Sequence, residues 1–356
     1  MIFTHKIFDS FNSELISCWL NLEQNSICNA FNSLFFHNSI YHINKKFKKN
    51  YWPLIICLYE KNNIAAILPL EKFNSSNTLV VHGSEFIDYD GIIFSRQINH
   101  KEFEKYILKN ILSKYDIFFH SIGSNNKLIN SLSNKLMYKL KWRYSIRYFI
   151  DAKKYDDFFL KKKKFIKKTT KNITKNNLSS IEIKLPNEKL SHLENHIILK
   201  SLQYNSTNNR NPFKNKRYKK LLEYLIKNYS KNIVIYILAI NKSLQSILIA
   251  FKSKDKFCYY QPSYSRESTL ESPGKILMYY AIKIANKNSI EFDFSTGNEN
   301  YKMLYSTDNE IIHSYFLSNK LFPNFLNLII FWILYYEKSR KILRSLFNQA
   351  KKFMNF

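Results

Sequence analysis

The chain has 356 residues, 45% of them hydrophobic and 23% charged, with 55 Lys and Arg against 27 Asp and Glu for a net charge of +28. These proportions exclude wholesale disorder, and five Gly and seven Pro exclude collagenous or linker-like chains. Four scattered cysteines (Cys18, Cys28, Cys57 and Cys258), with no CxxC pair, argue against a disulfide framework or a zinc cage and for a reducing compartment. At this length two domains, or one large one, are expected.

The first half reads as mixed α/β. Residues 52–70 form a hairpin of two apolar runs around a polar KNN turn. Residues 77–83 and 88–94 read as two further strands. Residues 100–115 carry helical periodicity and lead into the short strand DIFFH. Residues 124–136 read as another helix, and residues 145–151 as another strand.

The second half repeats that vocabulary. Apolar Phe158, Phe159, Phe165, Ile166 and Ile173 recur at near-helical spacing through a lysine run that begins at Lys161. One buried stripe with a solvated Lys face follows. A strand at 180–185 and helices over 188–203 and 213–229 come next. NIVIYILAI, an NK turn and SLQSILIAFKSK form a second hairpin, and KFCYYQP adds a strand. SPGKILMYYAIKIANK is a helix with Pro273 in its first turn, and IEFDFSTG a strand running into a loop. The order hairpin, strand, helix, strand thus occurs in both halves, which suggests two copies of one fold. The division expected is 1–150, 151–320 and an apolar, basic helical tail over 321–356. That tail holds FLNLIIFWILYY, 12 residues where a bilayer span needs roughly 20, so it reads as a buried or an interfacial helix.

The charge is concentrated. The first hundred residues are neutral overall, while residues 101–200 carry a net +14. The codons of Lys, Asn, Ile, Phe and Tyr are AT-rich, so base composition accounts for much of this excess. A polyanionic partner is the competing account, against which the scarcity of Arg counts. The same bias makes the glycines informative, because a chain short of Gly keeps it where the backbone needs it. Two of them, Gly274 and Gly297, flank one helix–strand unit.

That unit holds the chemistry. The helix opened by Ser272, Pro273 and Gly274 presents backbone N–H groups and a positive dipole end beside Lys275, a seat for a pyrophosphate. After the next strand come Asp293, Ser295, Thr296, Gly297, Glu299, Tyr301 and Lys302, so carboxylate, phenol and ammonium crowd one strand–loop junction. The N–H groups opening the helix are expected to face a cleft whose far wall is the Asp293 turn. His192 and His196 stand i, i+4 but not in a zincin HExxH order, and no GxSxG elbow is present.

IEFDFSTGNENYKMLYS resembles the "DF..G...YK" signature of CelD-like acyltransferases, members of the GCN5-related N-acetyltransferase (GNAT) superfamily associated with cellulose and other exopolysaccharide synthesis. SPGKILMYYAIKIA is similar to that family's "sPG..L....i..a" helix, YDDFFLKKKKFIKKTTKNITKNN to its Lys-rich helix, and residues 52–70 to its early hairpin. Of the wider superfamily's Gln/Arg-x-x-Gly-x-Gly/Ala loop only Gly274 is present. The resemblance implies an α/β (α+β) chain of tandem GNAT-like domains, with mixed sheets flanked by helices. The C-terminal domain would bind acyl-CoA (acetyl-CoA), with no metal, and the N-terminal one would be a degenerate acceptor-side copy.

The implied activity is acyl transfer to a small-molecule or sugar amine in polysaccharide or cell-envelope biosynthesis. It would occur in the cytoplasm, with a peripheral membrane contact through the tail. The donor site implied is Tyr260, Ser272, Pro273, Gly274, Lys275 and Gly297. The reacting groups implied are Asp293 or Glu299 as base, Tyr301 as acid and Lys302 beside them, with an oxyanion site on a splayed strand at residues 257–260. Two alternatives stand beside it. One is a Fem-like transferase with aminoacyl-tRNA as donor. The other is a non-catalytic module binding an anionic glycan or a membrane surface.

Overall fold

The computed structural model describes residues 3–319 apart from residues 49, 74–76, 90, 125, 127–128, 130, 133–137, 176–181, 184–188, 208–210, 241–242 and 269. The tail expected over 321–356 and most of the helix expected over 124–136 therefore lie outside the described residues.

In the first half, β1 (Phe3–Phe8) pairs antiparallel with β2 (Pro53–Glu60), and β2 with β3 (Asn63–Lys72), the hairpin expected from two apolar runs around the KNN turn. Two helices precede that hairpin, α1 (Ser13–Gln24), capped by Asn12, and α2 (Leu34–Phe47). Then come β4 (Thr78–Val81), β5 (Ile93–Phe94), α3 (His100–Asn110), β6 (Asp116–Gly123) and β7 (Tyr138–Ile150). The strand expected over 88–94 is cut to two residues, because the chain between β4 and β5 turns back on itself around Gly83, whose φ is +70°.

The second half opens with α4 (Tyr155–Lys161) and α5 (Lys163–Lys175), the lysine run. β8 (Glu182–Ile183), α6 (Lys189–Ser206) and α7 (Lys216–Asn228) follow. β9 (Ile233–Ile240) and β10 (Ser243–Lys252) are the second hairpin, with β11 (Lys256–Tyr264) next. α8 (Pro273–Lys287), β12 (Glu291–Thr296), α9 (Asn300–Tyr305) and β13 (Asp308–Ser318) complete the described chain.

All these strands belong to one mixed sheet, in the order β1-β2-β3-β4-β6-β13-β7-β12-β11-β10-β9-β8, with β5 paired to β3. The last of the described strands therefore lies in the middle, antiparallel both to β6 of the first half and to β7. β7 in turn pairs with β12 of the second half.

Strand alternation sorts the side chains to two faces. On one face of the second half, Phe257, Tyr259, Phe292 and Phe294 pack with Phe158 of α4 and Ile276, Leu277 and Ala281 of α8. On the other face, Ile235, Ile247, Ile249 and Cys258 pack with Leu221 and Leu225 of α7 and with Phe35 and Ile40 of α2. That second core runs unbroken from Phe3 to Leu317. Polar contacts cross the same junction: Arg217 forks onto Glu85, with Nη1–Oε1 at 2.5 Å and Nη2–Oε2 at 2.9 Å, and the His42 ring stacks on Tyr224.

Candidate functional site

The parallel ladder between β11 and β12 runs only from Lys256–Glu291 to Cys258–Asp293. Beyond it the two strands part. β11 stays with β10, from Gln261–Ile249 to Tyr264–Ser246, while β12 turns to β7, with Thr296 opposite Arg147. At the parting point Tyr259 and Tyr260 together face the single residue Ala250, a bulge in β11. A bulge takes an amide out of the ladder, and the splay gives it a gap to face. The divergence begins after Cys258, within residues 257–260.

α8 starts beside the end of β11. Ser272 is left-handed (φ +58°) and gives no side-chain bond to the first turn, and Pro273 has no N–H to satisfy. A Cβ at Gly274 would meet only the Tyr264 ring, at 3.7 Å, so the space before this turn is open. Lys275 is exposed, and its amide closes a turn onto Ser272 O at 2.9 Å. Helix start, open space and exposed cation suit a diphosphate.

Asp293 does not wall this space. Phe292 and Phe294 face α8, so Asp293 and Ser295 point to the opposite face, toward the first half. Asp293 is fully buried. It accepts bonds from the Tyr89 hydroxyl and, at 2.7 Å, from the Ser295 amide, and Arg147 Nε lies 3.2 Å away. Burial raises its carboxyl well above the ordinary range, and the Ser295 amide bond opposes that shift. Arg147 also meets Glu291 and, at 3.3 Å, Glu310, and is sandwiched by the Tyr89 and Phe149 rings at 4.8 and 4.5 Å. Ser295 donates to Asp88, whose own carboxyl is raised by burial.

The Gly297 turn joins the two faces. Gly297 has φ +146°, and a Cβ there would strike the Glu299 carboxylate and come within 2.7 Å of Lys302 Nζ. Only glycine fits such a turn. Lys302 is buried and donates to Thr296 O at 2.5 Å, with Glu299 Oε2 at 3.1 Å. Glu299 itself is 56% exposed. Tyr301 turns the other way, packing edge-on against Tyr259 and Phe294 on the α8 face. Burial raises its phenol. Tyr260 is held behind the bulge, its hydroxyl on Tyr218 and its ring 4.5 Å from Phe251.

The structure thus separates the expected residues into two groups. Ser272, Pro273, Gly274, Lys275 and Tyr301 belong to the α8 side, while Tyr260, expected with the donor, joins Asp293, Glu299 and Lys302 on the face toward the first half, with Gly297 between them. Residues not expected from sequence join the second group. Lys200 of α6 donates to Pro262 O at 2.8 Å, and burial draws its ammonium down to about 8, with Glu299 opposing. Asp88, Tyr89 and Arg147 come from the first half. His196, expected to carry no zinc chemistry, is a buried residue of α6, bonded to Gln261 (3.2 Å) and Ser263 (2.9 Å).

Residues 161–303 match the acetyltransferase (GNAT) domain family, so the chain carries a GNAT acetyltransferase domain. The solved structures it resembles include FemX (TM-score 0.59, 9% identity, covering 88% of this chain and 98% of that one) and L-PGS from Bacillus licheniformis (0.56, 10%, 89% and 96%). A conserved protein of unknown function from Bacteroides thetaiotaomicron VPI-5482 is similar too (0.54, 10%, 88% and 100%). At these identities the likeness is one of fold alone. No curated protein matches the chain. No helix among the described residues is long and apolar enough to cross a membrane.

Proposed function

We propose that the chain transfers an acyl group from acyl-CoA to an amine, with donor and acceptor entering the β11–β12 gap from opposite faces. The parting of those strands after Cys258–Asp293 carries this reading. The CoA diphosphate would rest on the first turn of α8, at Gly274 and Lys275, and the thioester would reach the bulge at Tyr259–Tyr260. The amine nitrogen attacks the thioester carbon, and the bulge amides stabilise the oxyanion. The C–S bond then breaks, Tyr301 returns a proton to the thiolate, and Glu299 takes the proton lost by the amine. Glu299 suits that task better than Asp293, being the carboxylate that solvent and an acceptor can reach. Asp293, Arg147 and Tyr89 would hold the Gly297 turn and Lys302 in place. Orientation of the two reactants supplies much of the acceleration.

The acceptor side would be shared with the first half through Asp88, which puts the acceptor between residues 1–150 and 151–320. Signature resemblance favours a sugar amine of polysaccharide or envelope synthesis, worked on in the cytoplasm. The test is calorimetric titration with acetyl-CoA. Binding in the micromolar range that is lost in Gly274→Glu supports the donor site, and no binding by the wild type overturns it. Glu299→Gln should lower turnover by about 10²–10³-fold with the acetyl-CoA affinity unchanged. Retained turnover would remove Glu299 as the base.

A Fem-like transfer from aminoacyl-tRNA is the second reading, favoured by the likeness to FemX at TM-score 0.59. Salt-sensitive tRNA binding without acetyl-CoA binding would select it.

A further inference from the structure

The outer face of the α4–α5–α8 layer has no part in the site described above. Residues 153–175 and 276–288 hold twelve lysines, no arginine and two acidic residues, Asp156 and Asp157, with Glu271 just before α8. Glu271 is taken up by Lys168, and Asp156 and Asp157 sit in the first turn of α4. Lys161, Lys163, Lys164, Lys167 and Lys171 are exposed on α4 and α5, and Lys283 and Lys287 on α8.

Among these cations the surface is apolar. Leu160 is 61% exposed. Its chain neighbour Phe159 lines an open groove of about 580 Å³ together with Tyr279, Tyr280, Lys283, Ile284, Asn286 and Lys287. Lys283 Nζ stands 5.7 Å from the Tyr279 ring centre, its stem laid along the aromatic surface.

We propose that this face docks on an anionic lipid surface. Lysines around exposed aliphatic and aromatic side chains are what an interfacial contact requires. The cations meet the headgroup charge while Leu160 and the groove take up apolar surface. Nucleic acid fits less well, because the groove is largely apolar and the face has no guanidinium to fork onto phosphate. The groove's lining on α8 runs from Tyr279 to Lys287, five to thirteen residues from Gly274 and roughly 8–20 Å at 1.5 Å per residue, so docking there leaves the first turn of α8 free. The proposal does not depend on the acyl-transfer reading.

Sedimentation of the full chain with vesicles tests it. Phosphatidylcholine vesicles containing phosphatidylglycerol should carry the protein down at low salt, pure phosphatidylcholine should not, and high salt should release it. Lys283→Glu with Lys287→Glu should weaken binding by about thirtyfold or more, at about fivefold for each lysine lost near the surface. Leu160→Ser should weaken it separately, without a change in melting temperature. The tail beyond residue 320 is present in every arm, so loss in these variants reports this face. The proposal falls if the wild type ignores anionic vesicles or if the variants bind as the wild type does. It also falls if the same lysines bind tRNA tightly enough to displace the vesicles.

Discussion

Arg147 serves three carboxylates from two strands, Glu291 and Asp293 of β12 and Glu310 of β13. Their desolvation is offset only while the guanidinium is present. Arg147→Leu should therefore cost about 3–5 kcal/mol, read from urea unfolding, and a loss below about 1 kcal/mol would show the cluster to be solvated. Histidines give a second residue-scale test. Burial draws His37 and His196 down to about 3 and His120 to about 4. With folded values below the unfolded one, the unfolded chain takes the proton first. Their stabilisation is thus complete above pH 6.5 and drains away as pH falls toward 3–4. Raised carboxyls such as Asp293 act in the opposite sense, so the contribution of one histidine is isolated by comparing slopes. His196→Gln should reduce the stability lost between pH 6.5 and 5 by about 2 kcal/mol. An unchanged slope would mean His196 already titrates normally in the fold.

At the scale of elements, what could be read from sequence was local. The hairpins β2–β3 and β9–β10 announce themselves by apolar runs around short polar turns, and α8 by Pro273. Gly297 marked a turn that tolerates no Cβ. Asp88, Tyr89 and Arg147 were not legible, because each lies some 150–200 residues from its partner Ser295 or Asp293, and only the tertiary fold brings them together. The face taken by Asp293 was misjudged for a related reason. Alternation along EFDFST puts Asp293 opposite Phe292 and Phe294, but which side α8 occupies is decided by packing. The lysine helix α5 is held by its apolar stripe: the Phe165 ring lies 4.4 Å from Tyr305 and edge-on to Tyr279. Phe165→Ala should cost about 1–2 kcal/mol and raise amide exchange throughout α5. Exchange unchanged there would mean the stripe does not anchor the helix.

The whole molecule is organised by β13, a strand that sequence periodicity did not single out as the centre of the sheet. It lies between β6 and β7, and β7 carries the sheet on to β12. A division at residue 150 describes the chain order but not a line along which the sheet comes apart. Residues 1–150 expressed alone would expose the edge of β6 and the whole of β7, and should be insoluble or aggregate. Co-expression with residues 151–356 should restore a soluble complex. A monomeric, cooperatively melting 1–150 fragment would show that the first half closes without β13.

The central position of β13 also sets an order of events during synthesis. Residues 308–318 leave the ribosome only after the two strands they must fit between, which are made some 170–200 residues earlier. Until then β6 waits with a bare edge and an apolar underside, exposed for the length of a translation cycle. Pairing so distant in sequence closes slowly and favours capture by neighbouring nascent chains. Newly made copies should therefore rely on chaperones far more than the finished protein does.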